Sequence, residues 1–144
     1  MVENDAPSFR NIFLQVLAAS LPSWRGYIAD SAMTQGPVLV YPPNWNGLPF
    51  RIEIGSDSLS VFPLCRFGID YISTATAMDL KERPELVFAK PILEITDFVN
   101  GRTVVSVRRH HWLFVKLGWD VRFVPRSAVN RAHRAGAQII AWPI

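Results

Sequence analysis

Residues 49–64, PFRIEIGSDSLSVFPL, decide the fold of this chain. At their start Phe50, Ile52 and Ile54 alternate with charged residues, and GSDS in the middle supplies side chains that favour a turn. Successive side chains of a strand point to opposite faces, so the alternation predicts one buried and one solvated face. The stretch therefore predicts two antiparallel strands joined by a tight turn.

The segments on either side extend this pattern. PVLVYP at residues 37–42 and FGIDYIS at residues 67–73 are short runs rich in β-branched and aromatic side chains, which is typical of strands. Proline, glycine and asparagine lie between the runs and favour turns. We therefore expect an antiparallel meander of four strands in the first half of the chain.

A helix is expected before the meander. Phe9, Ile12, Phe13, Val16 and Leu17 recur at the three-to-four spacing of a helix with one buried face. No stretch of the chain approaches the roughly 18 consecutive apolar residues of a membrane span. The sequence thus predicts a soluble protein without a membrane partner.

Two interpretations are open for residues 91–99. A helix beginning at Pro91 would place Ile92, Ile95 and Val99 on one face, and proline is tolerated in a first turn. Alternatively, EITDFV and RTVVSV form a hairpin, because the Asn-Gly pair between them accepts the positive φ angles of a type I′ turn. Both interpretations make RTVVSV a strand.

The next segment, VRRHHWLFVK at residues 107–116, is also open to two interpretations. As a strand, it places Val107 and Arg109 on one face. As a helix over residues 109–117, it ends at Gly118, since glycine is favoured just past a helix end. We favour the helix, after which WDVRFVP starts a new strand.

The C-terminal segment repeats this layout, with Ser127 as the cap of a helix over AVNRAHRA, Gly136 at its end and AQIIAWPI as a last strand. Alternating strands and helices favour parallel strands with right-handed crossovers. The predicted class is α+β, a mixed sheet with an N-terminal antiparallel meander and C-terminal strand-helix-strand units, with helices packed on the sheet. Residues 1–144 are expected to form a single globular domain.

Composition supports a globular and cytoplasmic protein. Hydrophobic residues make up 49% of the chain and charged residues 19%, which is not a disordered composition. Cys65 is the one cysteine, so an intramolecular disulfide is impossible and a reducing compartment is expected. Cys65 lies in the apolar run SVFPLCRFGI without a catalytic motif, which predicts a thiol that fills the core.

Charge is distributed unevenly along the chain. Residues 98–144 contain eight arginines and lysines and one acid, Asp120, a net charge of +7. Residues 1–97 contain seven cations and eleven acids, a net charge of −4. The two parts either pair across the folded surface or leave a basic surface for an anionic partner.

Motifs for catalysis and for metal binding are missing from the sequence. It contains no glycine-rich phosphate loop, no Gly-x-Ser-x-Gly elbow and no zinc-type cysteine spacing. His110 and His111 are adjacent, so their side chains diverge instead of sharing a metal ion. The sequence therefore predicts no metal and no cofactor, and favours a non-catalytic protein.

One short segment suggests an enzyme. LFVKLGWDV, from Leu113 to Val121, resembles the helix-to-strand segment of GCN5-related N-acetyltransferases, where a Leu-Tyr-x-Lys-Leu-Gly-Phe pattern is common. The resemblance implies an acyltransferase with an acyl-CoA or acyl-carrier donor. Phe114 stands where that family often has a tyrosine acid, and the chain lacks the family's Arg/Gln-x-x-Gly-x-Gly/Ala loop for the coenzyme pyrophosphate.

Two binding functions are alternatives to the acyltransferase hypothesis. Arginines of the C-terminal region can neutralise phosphates and Trp112 or Trp119 can stack a base, so nucleic acid is a possible partner. The favoured hypothesis is a protein partner with an acidic surface, as for immunity, adaptor or assembly proteins. The predicted binding residues are Arg108, Arg109, His110, Trp112, Arg122, Arg126 and Arg131, the arginines as charge-assisted donors and Trp112 as an anchor.

Overall fold

The computed structural model of the protein describes residues 8–112 and 115–143, with the backbone alone for residues 110–112 and 115–117. The helices are α1 Phe9–Ser20, α2 Arg25–Thr34, α3 Ala77–Glu82, α4 Pro84–Val87, α5 Ala89–Val99 and α6 Val129–Arg134, with 3-10 turns at Pro22–Trp24 and Arg126–Ala128. The strands are β1 Val38–Val40, β2 Phe50–Ile54, β3 Ser58–Pro63, β4 Ile69–Ile72, β5 Thr103–Trp112, β6 Val115–Pro125 and β7 Gln138–Ile140. The α+β class is confirmed.

The first sheet is the predicted meander. Its strands lie in the order β1-β2-β3-β4, and each neighbouring pair is antiparallel. Ile52 pairs with Val61 across the two central strands, and the Gly55 N–H donates to the Ser58 carbonyl over 2.8 Å to close the turn between them. Ile52 and Val61 are fully buried, so the alternation in the sequence correctly identified the inner face.

The second sheet corrects the expected parallel arrangement. Its strands lie in the order β6-β5-β7, and both pairs in the described residues are antiparallel. The favoured helix over residues 109–117 was wrong, because those of its residues that the structure describes belong to β5 and β6. Two residues separate these strands in the sequence, far fewer than the dozen that a parallel crossover needs.

Gly118 has a backbone conformation that suits a helix end as well as a bulge. Its φ of +112° is a conformation that glycine adopts readily. It serves a β-bulge and not a helix end, since the register pairs His110 with Gly118 and His111 with Lys116 and thus passes over Leu117. A glycine in the sequence is compatible with a helix end and with a β-bulge, and only the strand pairing distinguishes the two.

Two other predictions about helix ends have different outcomes. Residues 91–99 belong to helix α5, and the Asn-Gly pair forms its C-terminal turn, with Gly101 at a φ of +78°. Ser127 lies inside the 3-10 turn before α6, which begins without a side-chain cap, so the predicted Ser127 cap was wrong. Gly136 follows α6 at a φ of +85°, as predicted for a residue past a helix end.

One hydrophobic cluster joins α1, both sheets and α5. Phe50, Phe88 and Phe98 are enclosed in it almost completely. Trp142, placed by prediction in the last strand, follows β7 and packs 6.1 Å from both the Phe50 and the Phe98 ring. No helix in the described part of the chain is long and apolar enough to cross a membrane.

Candidate functional site

The two faces of strand β5 have different environments. Val105 and Val107 point into the core and are almost fully buried. Ser106 and Arg108 alternate with them and therefore lie on the opposite face, beneath helix α6. This outer face of the second sheet carries most of the predicted basic residues that the structure brings together.

A groove of about 330 Å³ separates this outer face from helix α6. Small side chains on the helix and the segments beside it leave the space open. We call it the arginine groove; its lining residues are Ser106, Arg108, Asp120, Arg122, Val124, Ala128, Arg131, Ala132, Ala135 and Ala137.

Three predicted binding residues meet in the arginine groove. Arg108 comes from β5, Arg122 from the neighbouring β6 and Arg131 from α6. The register places Ser106 opposite Arg122 and Arg108 opposite Asp120. The β5–β6 hairpin and helix α6 thus bring together residues that lie up to 23 positions apart in the sequence.

The three arginines differ in their pairing. Arg122 forms a two-pronged ion pair with Asp120, in which Nε lies 3.2 Å from Oδ1 and Nη2 donates to Oδ2. Arg108 and Arg131 are exposed, and neither forms a hydrogen bond or ion pair with the residues described. Asp120 thus fixes one guanidinium, while the other two retain all their donors.

Ser106 is a polar residue that sequence reasoning missed. It is only 8% exposed, yet its hydroxyl has no hydrogen-bond partner within residues 8–112 and 115–143. It is not among the fully enclosed polar atoms, so the hydroxyl keeps access to the groove that it lines. The hydroxyl therefore remains available as a donor and an acceptor within the groove. The sole signal in the sequence is a serine inside the valine run VVSV.

Arg109 belongs to a different surface. Its guanidinium carbon lies 4.6 Å from the centre of the Trp119 ring, within the range of a cation–π contact. The Phe67 ring packs 4.5 Å from Trp119, which remains 45% exposed. Arg109 and Trp119 are cross-strand partners, so this contact depends on the register beside the bulge.

The other predicted binding residues do not line the groove. Arg126 donates from Nε to the Gly101 carbonyl over 2.8 Å and so holds the end of α5 against the start of α6. This contact gives Arg126 a structural role at the junction of α5 and α6. The side chains of His110 and Trp112 lie outside the described residues.

A second cavity lies away from the groove and adjoins a tyrosine. This cavity of about 240 Å³ beside Tyr71 and Phe88 lies between β4 and the α4–α5 helices. Burial, reinforced by the Glu94 carboxylate, raises the pKa of Tyr71 above its ordinary value, so the phenol stays protonated. Burial also raises the pKa of Cys65. The thiol is only half-buried and lies outside the hydrophobic cluster, so the prediction that it fills the core was wrong. No group of three metal-ligating side chains occurs in the described part.

None of the protein-family models, curated proteins or solved structures compared with the chain matches it. Its function must therefore be argued from the groove and its charges.

Proposed function

We propose that the protein acts by binding an acidic protein partner, without catalysis, through the outer face of the second sheet and helix α6. The supporting observation is that Arg108, Arg122 and Arg131 line one groove although they come from three different elements. Two of them have no partner among the described residues. Unpaired guanidiniums at the rim of a concave surface favour charge-assisted contacts with carboxylates or phosphates of a partner.

The charge pattern of the chain agrees with this function. Residues 98–144 carry a net charge of +7. The groove formed by part of this segment is also positive, because three arginines and a single aspartate line it. Such a surface accelerates association with an acidic partner and makes the rate sensitive to salt.

The test compares two variants that change the net charge equally. Arg108→Glu with Arg131→Glu reverses the unpaired guanidiniums, while Arg25→Glu with Arg83→Glu reverses two exposed arginines remote in sequence from the groove. Each variant and the natural chain are used as immobilised bait in extract of the source cell, and captured proteins are identified by mass spectrometry and purified.

We expect an acidic protein that binds the natural chain and the control variant at least tenfold more tightly than the groove variant, since each charged contact contributes about 1.5–3 kcal/mol. The affinity should fall as the salt concentration of the assay is raised from about 50 to about 500 mM. Equal affinity of the purified partner for both variants would contradict the proposal.

Nucleic acid is a second candidate, favoured by the exposed Trp119 beside Arg109. A mixed-sequence single-stranded oligonucleotide tests it: binding that fades with salt and is lost in Trp119→Ala would support this candidate. The acyltransferase reading stays a prediction, which acetyl-CoA tests by a saturable rise in melting temperature. Leu113 and Phe114, the start of the segment that carries the resemblance, lie outside the described residues.

A further inference from the structure

We infer that the arginine groove is a binding site for a phosphate monoester, and that it receives a phosphorylated side chain of the protein partner. The inference rests on the proposed function and assigns the chemistry of its central contact. It depends on the size of the groove, its charge and its unused donors.

The size of the groove suits a small ligand group. Its volume of about 330 Å³ lies at the lower end of the range of small-molecule sites, roughly 300–1,000 Å³. Ala132 and Ala135 on the helix side, facing the strands, keep this volume open. A flat contact between two protein surfaces needs no such recess, whereas an inserted side chain with a terminal phosphate does.

The charge of the groove matches a dianion better than a single carboxylate. Three arginines and one aspartate leave a net charge of +2. A phosphorylated serine or threonine carries about −1.5 to −2 at pH 7, while glutamate carries −1. A phosphate monoester therefore neutralises the groove, and a carboxylate leaves it positive.

The donors of the groove complement the acceptors of a phosphate. Arg108 and Arg131 keep their guanidinium N–H groups unused among the described residues, and the nearly buried Ser106 hydroxyl adds a neutral donor at the base. A phosphate monoester has three terminal oxygens that accept such hydrogen bonds. Asp120 accepts from Arg122 and so fixes this third guanidinium in place.

The experiment measures binding of a fluorescent peptide containing one phosphoserine flanked by acidic residues, with its serine and glutamate counterparts. We expect the phosphoserine peptide to bind at least tenfold more tightly than either counterpart. Arg108→Gln and Arg131→Gln should each weaken it about tenfold, and Ser106→Ala about threefold, as expected for charged and neutral hydrogen bonds. Arg25→Gln is the matched control and should leave the affinity unchanged, and thermal unfolding checks that each variant is folded.

A second titration with glycerol phosphate and inorganic phosphate identifies the source of the group. If glycerol phosphate and inorganic phosphate both bind more weakly than the phosphopeptide, the phosphate is carried by a protein. If glycerol phosphate binds as tightly or more tightly, and Ser106→Ala weakens its binding about threefold as well, the site belongs to small phosphate esters and the phosphopeptide assignment is overturned. Equal binding of all three peptides, or affinity unchanged in folded Arg131→Gln and Ser106→Ala, overturns the phosphate site. The phosphate site can be overturned while an acidic partner still fails to bind the Arg108→Glu, Arg131→Glu variant. The proposed protein-binding function then stands without a phosphate site.

Discussion

The two sheets share one core on their inner faces but differ on their outer faces. On the outer face of the meander, Arg51 lies 3.3 Å from Glu53 and its guanidinium carbon lies 4.1 Å from the centre of the Phe62 ring, so the charged group is partnered locally. On the outer face of the second sheet, Arg108 has no such partner among the described residues, and the hydroxyl of the nearly buried Ser106 has no hydrogen-bond partner there either. Polar groups without a protein partner beneath a helix keep their hydrogen-bonding capacity for water or a ligand.

The largest effect is expected at the inner face of the meander. Phe50→Ala should lower the free energy of unfolding by about 3–5 kcal/mol, because it leaves a cavity where Phe50 packs against Trp24, Phe98 and Trp142. Phe62→Ala, on the outer face of the adjacent strand, is the matched control and should cost clearly less. Urea unfolding followed by tryptophan fluorescence measures both, and equal losses would contradict the assignment of the two faces.

A substitution that adds volume should separate the core from the groove. Val61→Phe overfills the fully buried inner face and should cost about 1–3 kcal/mol. Ala132→Leu projects into open space in the arginine groove and should change stability by less than about 0.5 kcal/mol. The same Ala132→Leu should abolish binding of the phosphoserine peptide. A large stability loss in Ala132→Leu, measured by urea unfolding, would mean that the groove is packed.

The fold was predictable from the sequence wherever one residue pattern had one structural meaning. The alternation from Phe50 to Ile54 fits a strand and no helix, and the meander followed from it. Gly118 fits both a helix end and a bulge, and the helix predicted over residues 109–117 is wrong. Choosing between the two requires the pairing of β5 with β6, which the residue pattern around Gly118 does not contain.

The candidate site was predictable in composition but not in arrangement. The charge excess after residue 98 pointed to Arg108, Arg122 and Arg131, which line the groove, and equally to Arg126, which lies outside it and donates to a backbone carbonyl. Separating the groove residues from the others needs the register of β5 and β6 and the position of α6. Ser106 shows the limit most clearly, because its burial and its lack of a partner among the described residues are visible only in three dimensions.

A smaller effect is expected at the bulge that sets the register of the second sheet. Gly118→Ala should lower the free energy of unfolding by about 1–2 kcal/mol, since a Cβ meets no described atom within 4 Å but the φ of +112° disfavours any L side chain. Gly26→Ala is the control: its Cβ also meets open space, within helix α2, and it should stabilise by about 0.4–1 kcal/mol. Opposite signs in urea unfolding would confirm that backbone conformation, and not space, fixes Gly118; equal signs would contradict it.

The smallest effect is expected in the helices that connect the two sheets, where α3 begins with a capping box. The Thr76 N–H donates to Asp79 Oδ2 and the Asp79 N–H donates to Thr76 Oγ1, both over 3.1 Å. The hydrogen bonds from Thr76, first from its backbone and then from its side chain, lower the pKa of Asp79 below its ordinary value. A lowered pKa stabilises the folded chain above the ordinary aspartate pKa, and this contribution is lost as the pH falls through the lowered value.

Thr76→Ala should therefore raise the pKa of Asp79 toward its ordinary value and weaken the acid dependence of stability in that range. The pKa is measured by NMR titration of the Asp79 carboxyl, with Thr34→Ala as the control because Thr34 lies at the end of α2 and donates to the Asp30 carbonyl. An unchanged Asp79 pKa in Thr76→Ala would mean that the Thr76 side chain does not contribute to it. Because α3 connects the two sheets in the sequence and does not line the arginine groove, the variant should leave phosphopeptide affinity unchanged. Stability of the connecting helix and binding in the groove are thus measured separately.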